Sequence, residues 1–485
     1  MKMTQLLLTL SLMLTLTGGA LAADAGVSQG SQMIQKYTST PVEIQIPRVG
    51  VEVERAVLDN GVVVFLYEDH RIPMFNAQAV IRCGSVYEAA DKDGMSGLVG
   101  TVMRSGGTKT ISADSLNDLL EFTGGSLEVG IGLESGSATL SVLSKDTELG
   151  IKLLADVLRN PAFPPDKLDQ AKTEIKNGIR RRNDNLGAVG GRSFRNVIYG
   201  SHPYGRVLEW NTVKGITVQD LADYHKRFFA PNNIMIAVSG DFTKADVMAK
   251  IRQYFGDWVK SPMELPQPPA VAKKFNPGVF QVHKETNQSN VNIGLLGIKQ
   301  DNPDVPAIDV MNYILGGGLF ASRLTSRVRS DEGLSYSVRS TFETGSKDYG
   351  IFSASCQTKS ITTYKAVRIM VDEITRMQKS GATDKEVADA KDALVNRFAF
   401  NFDSSAKIVR SLMSLEYDGR PPDYYSTYLE ALRKISPSGV RSVAQKYLKP
   451  DRLSIVVVGN PRAFEKPLAS FGKVTDIELA TPDVN

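Results

Sequence analysis

The chain has 485 residues, of which 42% are hydrophobic and 23% are charged, and its formal net charge is +4. These proportions are ordinary for a globular protein, so they exclude disordered, collagen-like and many-spanning membrane proteins. Two cysteines and four histidines are too few for a disulfide scaffold or for histidine-rich metal chemistry. A charge of +4 over this length gives no support to nucleic-acid binding.

The N-terminus has the pattern of a secretory signal peptide. Lys2 precedes an apolar run over residues 6–16, and the small-residue sequence Ala-Leu-Ala follows at residues 20–22. The run is shorter than the roughly 20 residues that span a bilayer. We therefore expect a signal peptide over residues 1–22, a polar extension over residues 23–48, and export to a bacterial periplasm without a stable membrane anchor.

The first half of the chain alternates strand-like and helix-like segments. A Leu-Asp-Asn-Gly turn at residues 58–61 precedes a strand over VVVFLYE, and period-two alternation predicts another strand over NAQAVIRC. Helical periodicity is found in LNDLLEFTG, DTELGIKLLADVLRN and VQDLADYHKRFF, whereas GGSLEVGIGLESGSATLSVL is strand-like. Cys83 and Cys356 each lie in phase with the apolar side of a predicted strand, so both thiols are predicted to be buried and free.

An internal repeat divides the chain into two related halves. The sequence FAPNNIMIAVSG, from Phe229, matches LKPDRLSIVVVG, from Leu448, at a constant offset of 219 residues. Strand pairs linked by short turns favour an α+β fold, with each half a mostly antiparallel sheet covered by helices on one side. We expect these halves at residues 49–260 and 279–485, joined by an extended proline-rich linker at residues 261–278.

One segment of the first half, DKDGMSGLVGTVMRSGGT at residues 91–108, resembles the zinc motif of the pitrilysin/insulinase family of metallopeptidases. In that family an HxxEH helix supplies two histidine ligands and a glutamate base, and a glutamate further along the chain is the third ligand. Here the two histidine positions hold Gly97 and Thr101, the base position holds Gly100, and the distal position holds Gly178. These side chains are poor zinc ligands or lack a ligating atom. The apolar residues keep helical periodicity, so the same helix is predicted with a blank reactive face.

A second part of the resemblance lies in the other half. The stretch GGGLFASRLTSRVRSDEGLSYSV, residues 316–338, resembles the family's arginine–tyrosine motif, whose side chains reach substrate near the scissile bond. The resemblance implies substrate binding by Arg329 and Tyr336, since guanidinium and phenol donate hydrogen bonds to peptide carbonyls. The alternative is that Arg329 is a surface residue at a helix end and Tyr336 packs in a strand. The glycine run at residues 316–318 is predicted to be a flexible connection between helices.

The resemblance implies a non-catalytic subunit of a periplasmic heterodimeric metallopeptidase of the pitrilysin type. Such a subunit helps to enclose peptide or unfolded polypeptide for a homologous partner that carries HxxEH. We expect no catalytic residue, no metal and no cofactor in this chain, with zinc only in the partner, and no peptidase activity without it. The alternative is a stand-alone peptide-binding or scaffolding protein. An active zinc peptidase is disfavoured because these residues cannot hold an activated water.

Overall fold

Residues 44–262 and 264–484 are described by a computed structural model of the protein. The predicted signal peptide and most of the predicted polar extension lie outside the described residues. Among the residues described, no helix combines the length and apolar character that crossing a bilayer requires.

The first half holds strands β1–β6 and helices α1–α8. In chain order they are β1 Glu54–Val57, β2 Val63–Glu68, β3 Met74–Ile81, α1 Met95–Ser105, α2 Ala113–Thr123, β4 Ser126–Ile131, β5 Gly136–Leu143, α3 Thr147–Arg159, α4 Pro165–Arg180, α5 Leu186–Tyr199, α6 Trp210–Lys214, α7 Val218–Phe228, β6 Ile234–Gly240 and α8 Lys244–Phe255. The stretches 258–262 and 264–277, which contain neither helix nor strand, lead to the second half. The predicted proline-rich linker falls mostly here, and its boundaries stay a prediction.

The second half holds strands β7–β14 and helices α9–α14. In chain order they are β7 Gly278–His283, β8 Gln288–Leu296, β9 Ile298–Lys299, α9 Val305–Asn312, two π-helical turns at Tyr313–Gly317 and Thr325–Asp331, β10 Val338–Phe342, β11 Thr344–Gly345, β12 Ile351–Lys359, α10 Thr363–Ser380, α11 Asp384–Phe398, α12 Ser405–Tyr417, α13 Tyr424–Lys434, α14 Pro437–Tyr447, β13 Ser454–Gly459 and β14 Val474–Ile477. Single 3₁₀ turns connect several of these elements.

The local patterns of the sequence are found as predicted. The hairpin turn joins β1 to β2 in antiparallel register, and its Gly61 has the positive φ of 96° that such a turn favours. The segments predicted as strands and helices form β2, β3, α2, α3 and α7. Cys83 and Cys356 are buried and free, and burial raises the pKa of each thiol to about 12.

Two six-stranded sheets share the order of five strands, which confirms the predicted α+β fold of two related halves, and differ in the sixth, which is the first strand of one half (β1) and the last strand of the other (β14). The orders are β1-β2-β6-β3-β5-β4 and β14-β7-β13-β8-β12-β10. In each sheet one central pair is parallel, β2 with β6 and β7 with β13, and the pairs beyond β6 and β13 are antiparallel. The outer pairs differ, since β1 and β2 are antiparallel and β14 and β7 are parallel. Helices α4, α5 and α7 begin 219 residues before α11, α12 and α14, the offset of the sequence repeat.

The two halves exchange one helix each. Helix α5 of the first half packs Val189 and Phe194 in one cluster with β13 of the second sheet. Helix α12 of the second half packs Leu412 in one cluster with Phe65 and Met235 of β2 and β6. Each sheet therefore has its own helices on one face and a helix from the other half on the opposite face.

The prediction of helices on only one side of each sheet is therefore incomplete, because the opposite face is covered by a helix of the other half. The physical reason is that every residue of β6 and of β13 is buried, although alternate residues of a strand point to opposite faces. In β6, Ile236 and Val238 face the first half's own core, and Met235 and Ala237 face the exchanged helix. A strand that is apolar on both faces needs cover on both.

We expect truncation of a buried side chain on an exchanged helix to destabilise both halves together. Phe194 of α5 is 4% exposed, so Phe194→Ala should lower the free energy of unfolding by about 3–5 kcal/mol. Denaturant unfolding followed by circular dichroism should show one transition at a lower midpoint.

The matched control is Phe122→Ala, since Phe122 is also helical but is 89% exposed. This change should alter the free energy of unfolding by less than about 0.5 kcal/mol. Two separate transitions in Phe194→Ala, with one unchanged from the wild type, would contradict the mutual dependence of the halves.

Candidate functional site

Helix α1 keeps the predicted packing face and the predicted blank face. Leu98, Val102 and Met103 are fully buried, whereas Gly97 and Thr101 are exposed on the other side. Neither exposed residue offers a carboxylate or imidazole group to a metal.

A buried carboxylate fixes the start of this helix. Glu88, which is 5% exposed, accepts hydrogen bonds from the backbone N–H groups of Gly94 at 2.9 Å and Ser96 at 2.5 Å. A negative charge at a helix N-terminus is stabilising. Burial nevertheless raises the pKa of Glu88. Its side chain therefore works as a structural anchor for α1.

The edge strand β4 fills the position where the family has its general base. A Cβ added at Gly100 would lie 2.9 Å from the backbone nitrogen of Ile131 and 3.3 Å from the backbone of Gly130. By contrast, a Cβ at Gly97 or at Gly178 would meet nothing within 4 Å. Two ligand positions are thus open, and the base position is closed by strand backbone. Loss of the glutamate is accompanied by a close approach that only glycine permits.

The described residues contain no group of three or more histidine, cysteine, aspartate or glutamate side chains that could hold a metal ion. His70 lies between Glu68 and Asp241, with nitrogen–oxygen distances of 2.9 and 2.6 Å, on the protein surface. These two carboxylates raise the pKa of His70 through hydrogen bonds. The expectation that zinc belongs to a partner subunit stays a prediction.

Arg329 and Tyr336, the two predicted substrate-binding residues, are in contact with each other. The guanidinium carbon of Arg329 lies 4.7 Å from the ring centre of Tyr336 and 4.5 Å from that of Phe320. Tyr336 is 85% exposed and Phe320 is 69% exposed. Tyr336 precedes β10, so the part of the alternative in which it packs in a strand is wrong, whereas Arg329 does lie at a helix end, in the last turn of the π-helical segment Thr325–Asp331. We call Phe320, Arg329 and Tyr336 the aromatic–arginine platform.

Phe320 was not predicted as a member of this group. The available signal was an apolar Leu-Phe pair directly after the glycine run, at residues 319–320. Leu319 is 68% exposed and has a φ of 49°, a left-handed conformation that is uncommon for leucine. Such conformations often accompany functional loops.

The glycine run is part of an ordered turn. Gly316 and Gly317 end a π-helical turn that continues α9, so the predicted flexible connection is regular here. A Cβ at Gly316 would lie 2.5 Å from the backbone nitrogen of Ser340, and one at Gly318 would lie 2.7 Å from the Tyr313 ring. The glycines permit close packing beneath the platform.

An ion pair ties the segment that carries the platform to helix α11. Nε and Nη2 of Arg323 each donate to a carboxylate oxygen of Glu386 at 2.7 Å, and Nη2 also donates to the carbonyl of Gly381 at 3.0 Å. Glu386 in turn completes a capping box with Thr383. The hydrogen bonds from Arg323 lower the pKa of Glu386 to about 2. Arg323 thus has a structural role in the retained motif.

Comparisons with known proteins agree with the fold. Residues 63–208 match the family described as "Insulinase (Peptidase family M16)", and residues 215–394 match "Peptidase M16 inactive domain". The two segments together span more than half of the chain. A Helicobacter pylori protein named "Non-peptidase homolog YmxG" is 24% identical over 82% of this chain and 92% of its own length. A Streptomyces coelicolor protein named an uncharacterized zinc protease is 24% identical over 73% of this chain and 78% of its own.

Solved structures show the same architecture. A peptidase M16 inactive domain from Pseudomonas fluorescens superposes with a TM-score of 0.78 and 26% identity, over 86% of this chain and all of that one. A protease from Helicobacter pylori superposes with a TM-score of 0.76 over 84% of this chain and 99% of that one. At 18% identity the latter shows the fold alone.

We expect the two glycines of α1 to respond differently to alanine. Gly97→Ala should stabilise the protein by up to about 1 kcal/mol, because alanine favours a helix and the site is open. Gly100→Ala should destabilise it by about 1–3 kcal/mol, because the new methyl group meets the backbone of β4. Thermal or denaturant unfolding of the two variants measures the difference. Equal stabilisation by both changes would show that β4 does not close the base position.

Glu386 should contribute to the acid sensitivity of the fold. A carboxyl group with a folded pKa of about 2, against an ordinary 4.5, adds stability above pH 4.5 that is lost as the pH falls towards 2. Glu386→Gln should therefore lower the urea midpoint at pH 7 and flatten its fall between pH 4.5 and 2. As a control, Glu430→Gln, on the exposed side of α13, should keep the wild-type profile. An unchanged profile in Glu386→Gln would refute this role.

Proposed function

This chain belongs to the insulinase family of metallopeptidases (peptidase family M16), and we propose that it is a non-catalytic subunit of a periplasmic heterodimer. Its partner is a homologous chain that carries HxxEH and zinc. In this arrangement the partner cleaves peptide bonds, and this chain helps to bind and enclose the substrate. The aromatic–arginine platform is the observation that carries the proposal, because it is retained where the four catalytic positions are lost.

The geometry of the platform suits peptide binding. The Arg329 guanidinium lies within cation–π distance of two aromatic rings, which restricts its movement. Contact with ring faces does not use the N–H groups of a guanidinium, so they stay available to peptide carbonyl oxygens. Exposed Phe320 and Tyr336 rings add apolar area for neighbouring side chains.

The edge strand β4 supports the same function. Strand β4 is terminal in its sheet and pairs with β5 alone among the described strands. An extended peptide can add to such an edge through backbone hydrogen bonds. Because β4 also packs on the blank face of α1 at Gly100, a peptide held there would lie beside a surface without catalytic groups.

The printed name of one relative fits a chain without peptidase activity, whereas other relatives are named uncharacterized zinc proteases. The non-peptidase homolog is similar over 82% of the chain, and the family model of an inactive domain matches residues 215–394, mostly in the half without the degenerate motif. The alternative function, a stand-alone peptide-binding protein, uses the same platform without a partner. Both functions require peptide contact, and they differ in whether a second subunit is needed for cleavage.

Co-expression with an HxxEH homologue from the same genome tests the heterodimer. We expect one complex on size exclusion and peptide cleavage that needs both chains. Arg329→Ala should lower kcat/KM of the complex by about tenfold or more, because it removes donors that contact substrate, and should leave assembly intact. Arg433→Ala, at an exposed position of α13, is the matched control and should leave kcat/KM unchanged.

Absence of a complex, or cleavage by the homologue that is unaffected by this chain, would overturn the heterodimer. Peptide binding by the isolated chain that is lost in Arg329→Ala would then favour the stand-alone function. If Arg329→Ala changes neither cleavage nor binding, the assignment of the platform is wrong.

A further inference from the structure

The second half contains an open cavity of about 850 Å³ away from the platform. Its walls come from helices α9, α12 and α13, from the C-terminal end of α11 and from the edge strand β10. Gln78 and Val80, of β3 in the first sheet, close one side. Cavities of roughly 300–1,000 Å³ are typical of sites for small molecules or a few peptide residues. We call it the second-half cavity.

The sequence repeat relates this cavity to the cleft that lost its zinc ligands. Arg397, in its wall, follows Gly178 by the repeat offset of 219 residues, and α11 corresponds to α4. Strand β10, which contributes Phe342, occupies the edge position that β4 has in the first sheet. The second-half cavity therefore corresponds to the degenerate site of the first half, and it carries Arg397 where that site carries Gly178.

The charge of the cavity wall is strongly positive. Four cationic side chains line it, Arg397, Lys407, Arg410 and Arg420, against the single carboxylate of Asp309 among its lining residues. Asp309 accepts a hydrogen bond from the Tyr428 hydroxyl at 2.7 Å, and Lys407 is paired with Asp403 at 2.7 Å. Within the described part of the chain, neither Arg397 nor Arg410 has a carboxylate in ion-pair distance. The wall thus has more cationic groups than partners for them.

Arg420 is held in the cavity wall by two contacts. Its guanidinium carbon lies 4.2 Å from the ring centre of Tyr424, and its Nη2 donates to Oε1 of Gln300 at 3.0 Å. Its Nε is buried and has no hydrogen-bond partner among the described residues. Buried donors in folded proteins are rarely left unpaired. That N–H is enclosed by the protein, and the contribution of Arg420 to the cavity is the positive charge that its side chain places in the wall.

Aromatic rings form the apolar part of the wall. Phe398 lies 5.6 Å from Tyr425 and 5.8 Å from Tyr428, measured between ring centres, and Tyr424 continues the group at 6.1 Å from Tyr428. All four rings line the cavity. Stacked and edge-on rings of this kind offer a rigid surface to an apolar or aromatic group.

We propose that the second-half cavity binds a carboxylate joined to an apolar or aromatic body. The guanidinium groups of Arg397 and Arg420 pair with the carboxylate, and the rings of Phe398 and Tyr424 contact the body. Planar guanidinium groups match carboxylates in geometry and in charge. The carboxylate comes from an acidic peptide or from a free organic acid. This site uses residues of the chain alone, so it holds whether or not the heterodimer exists.

Titration calorimetry on the isolated chain tests the site with two pairs of probes. Acetyl-Phe-Glu-Phe-amide is compared with its glutamine analogue, and phenylacetate is compared with phenylacetamide. We expect at least one acid to bind about tenfold or more tightly than its neutral analogue, and to bind more weakly as salt is raised. Arg420→Gln should weaken acid binding about tenfold, and Arg397→Gln should weaken it several-fold.

The controls separate a binding role from a folding role. Arg433→Gln removes the same charge from an exposed place outside the cavity wall and should leave affinity unchanged. Arg397 is exposed, so its variant should fold even if Arg420→Gln does not, as circular dichroism will show. Binding of the peptide acid alone or of phenylacetate alone supports the site and identifies the source of the carboxylate. Failure of both acids to bind, equal binding of acid and neutral analogue, or unchanged affinity in Arg397→Gln overturns the proposal.

Discussion

The exchange of α5 and α12 is the contact on which the rest of the structure depends. Strands β6 and β13 are buried on both faces, and the helices of one half cover only one face of its own sheet. The second face of each sheet is covered by a helix that belongs to the other half. Burial of apolar area is the main favourable term in folding, so neither half can complete its core alone. The positions of the degenerate site on α1 and of the second-half cavity therefore depend on this mutual packing.

The two clefts have diverged within one repeated architecture. In the first, four positions of the catalytic constellation hold glycine or threonine, and the backbone of β4 has closed on Gly100. In the second, the equivalent wall carries Arg397 beside a group of aromatic rings. In this duplicated fold the buried core is similar in the two halves, whereas the residues on the exposed faces of corresponding helices differ.

Local elements could be predicted from the sequence, and contacts between distant segments could not. The β1–β2 turn, the helix at residues 95–105 and the repeat offset all follow from patterns within short stretches or from self-similarity. The apolar face of α5, with Val189 and Phe194, fits either sheet equally well by periodicity. The signal for the exchange was the uninterrupted apolar run of β6. Phe320 and the approach of β4 to Gly100 depend on backbone geometry that no local pattern encodes.

The exchanged helices also impose an order on biosynthesis. Strand β6 is synthesised by residue 240, whereas its outer cover, α12, follows only at residues 405–417. Until then Phe65, Met235 and Ala237 form an apolar face with nothing of the nascent chain to cover it. Exposed faces of this kind lead to aggregation during folding. A chain built in this way can complete the core of its first half only when nearly all of it has been synthesised.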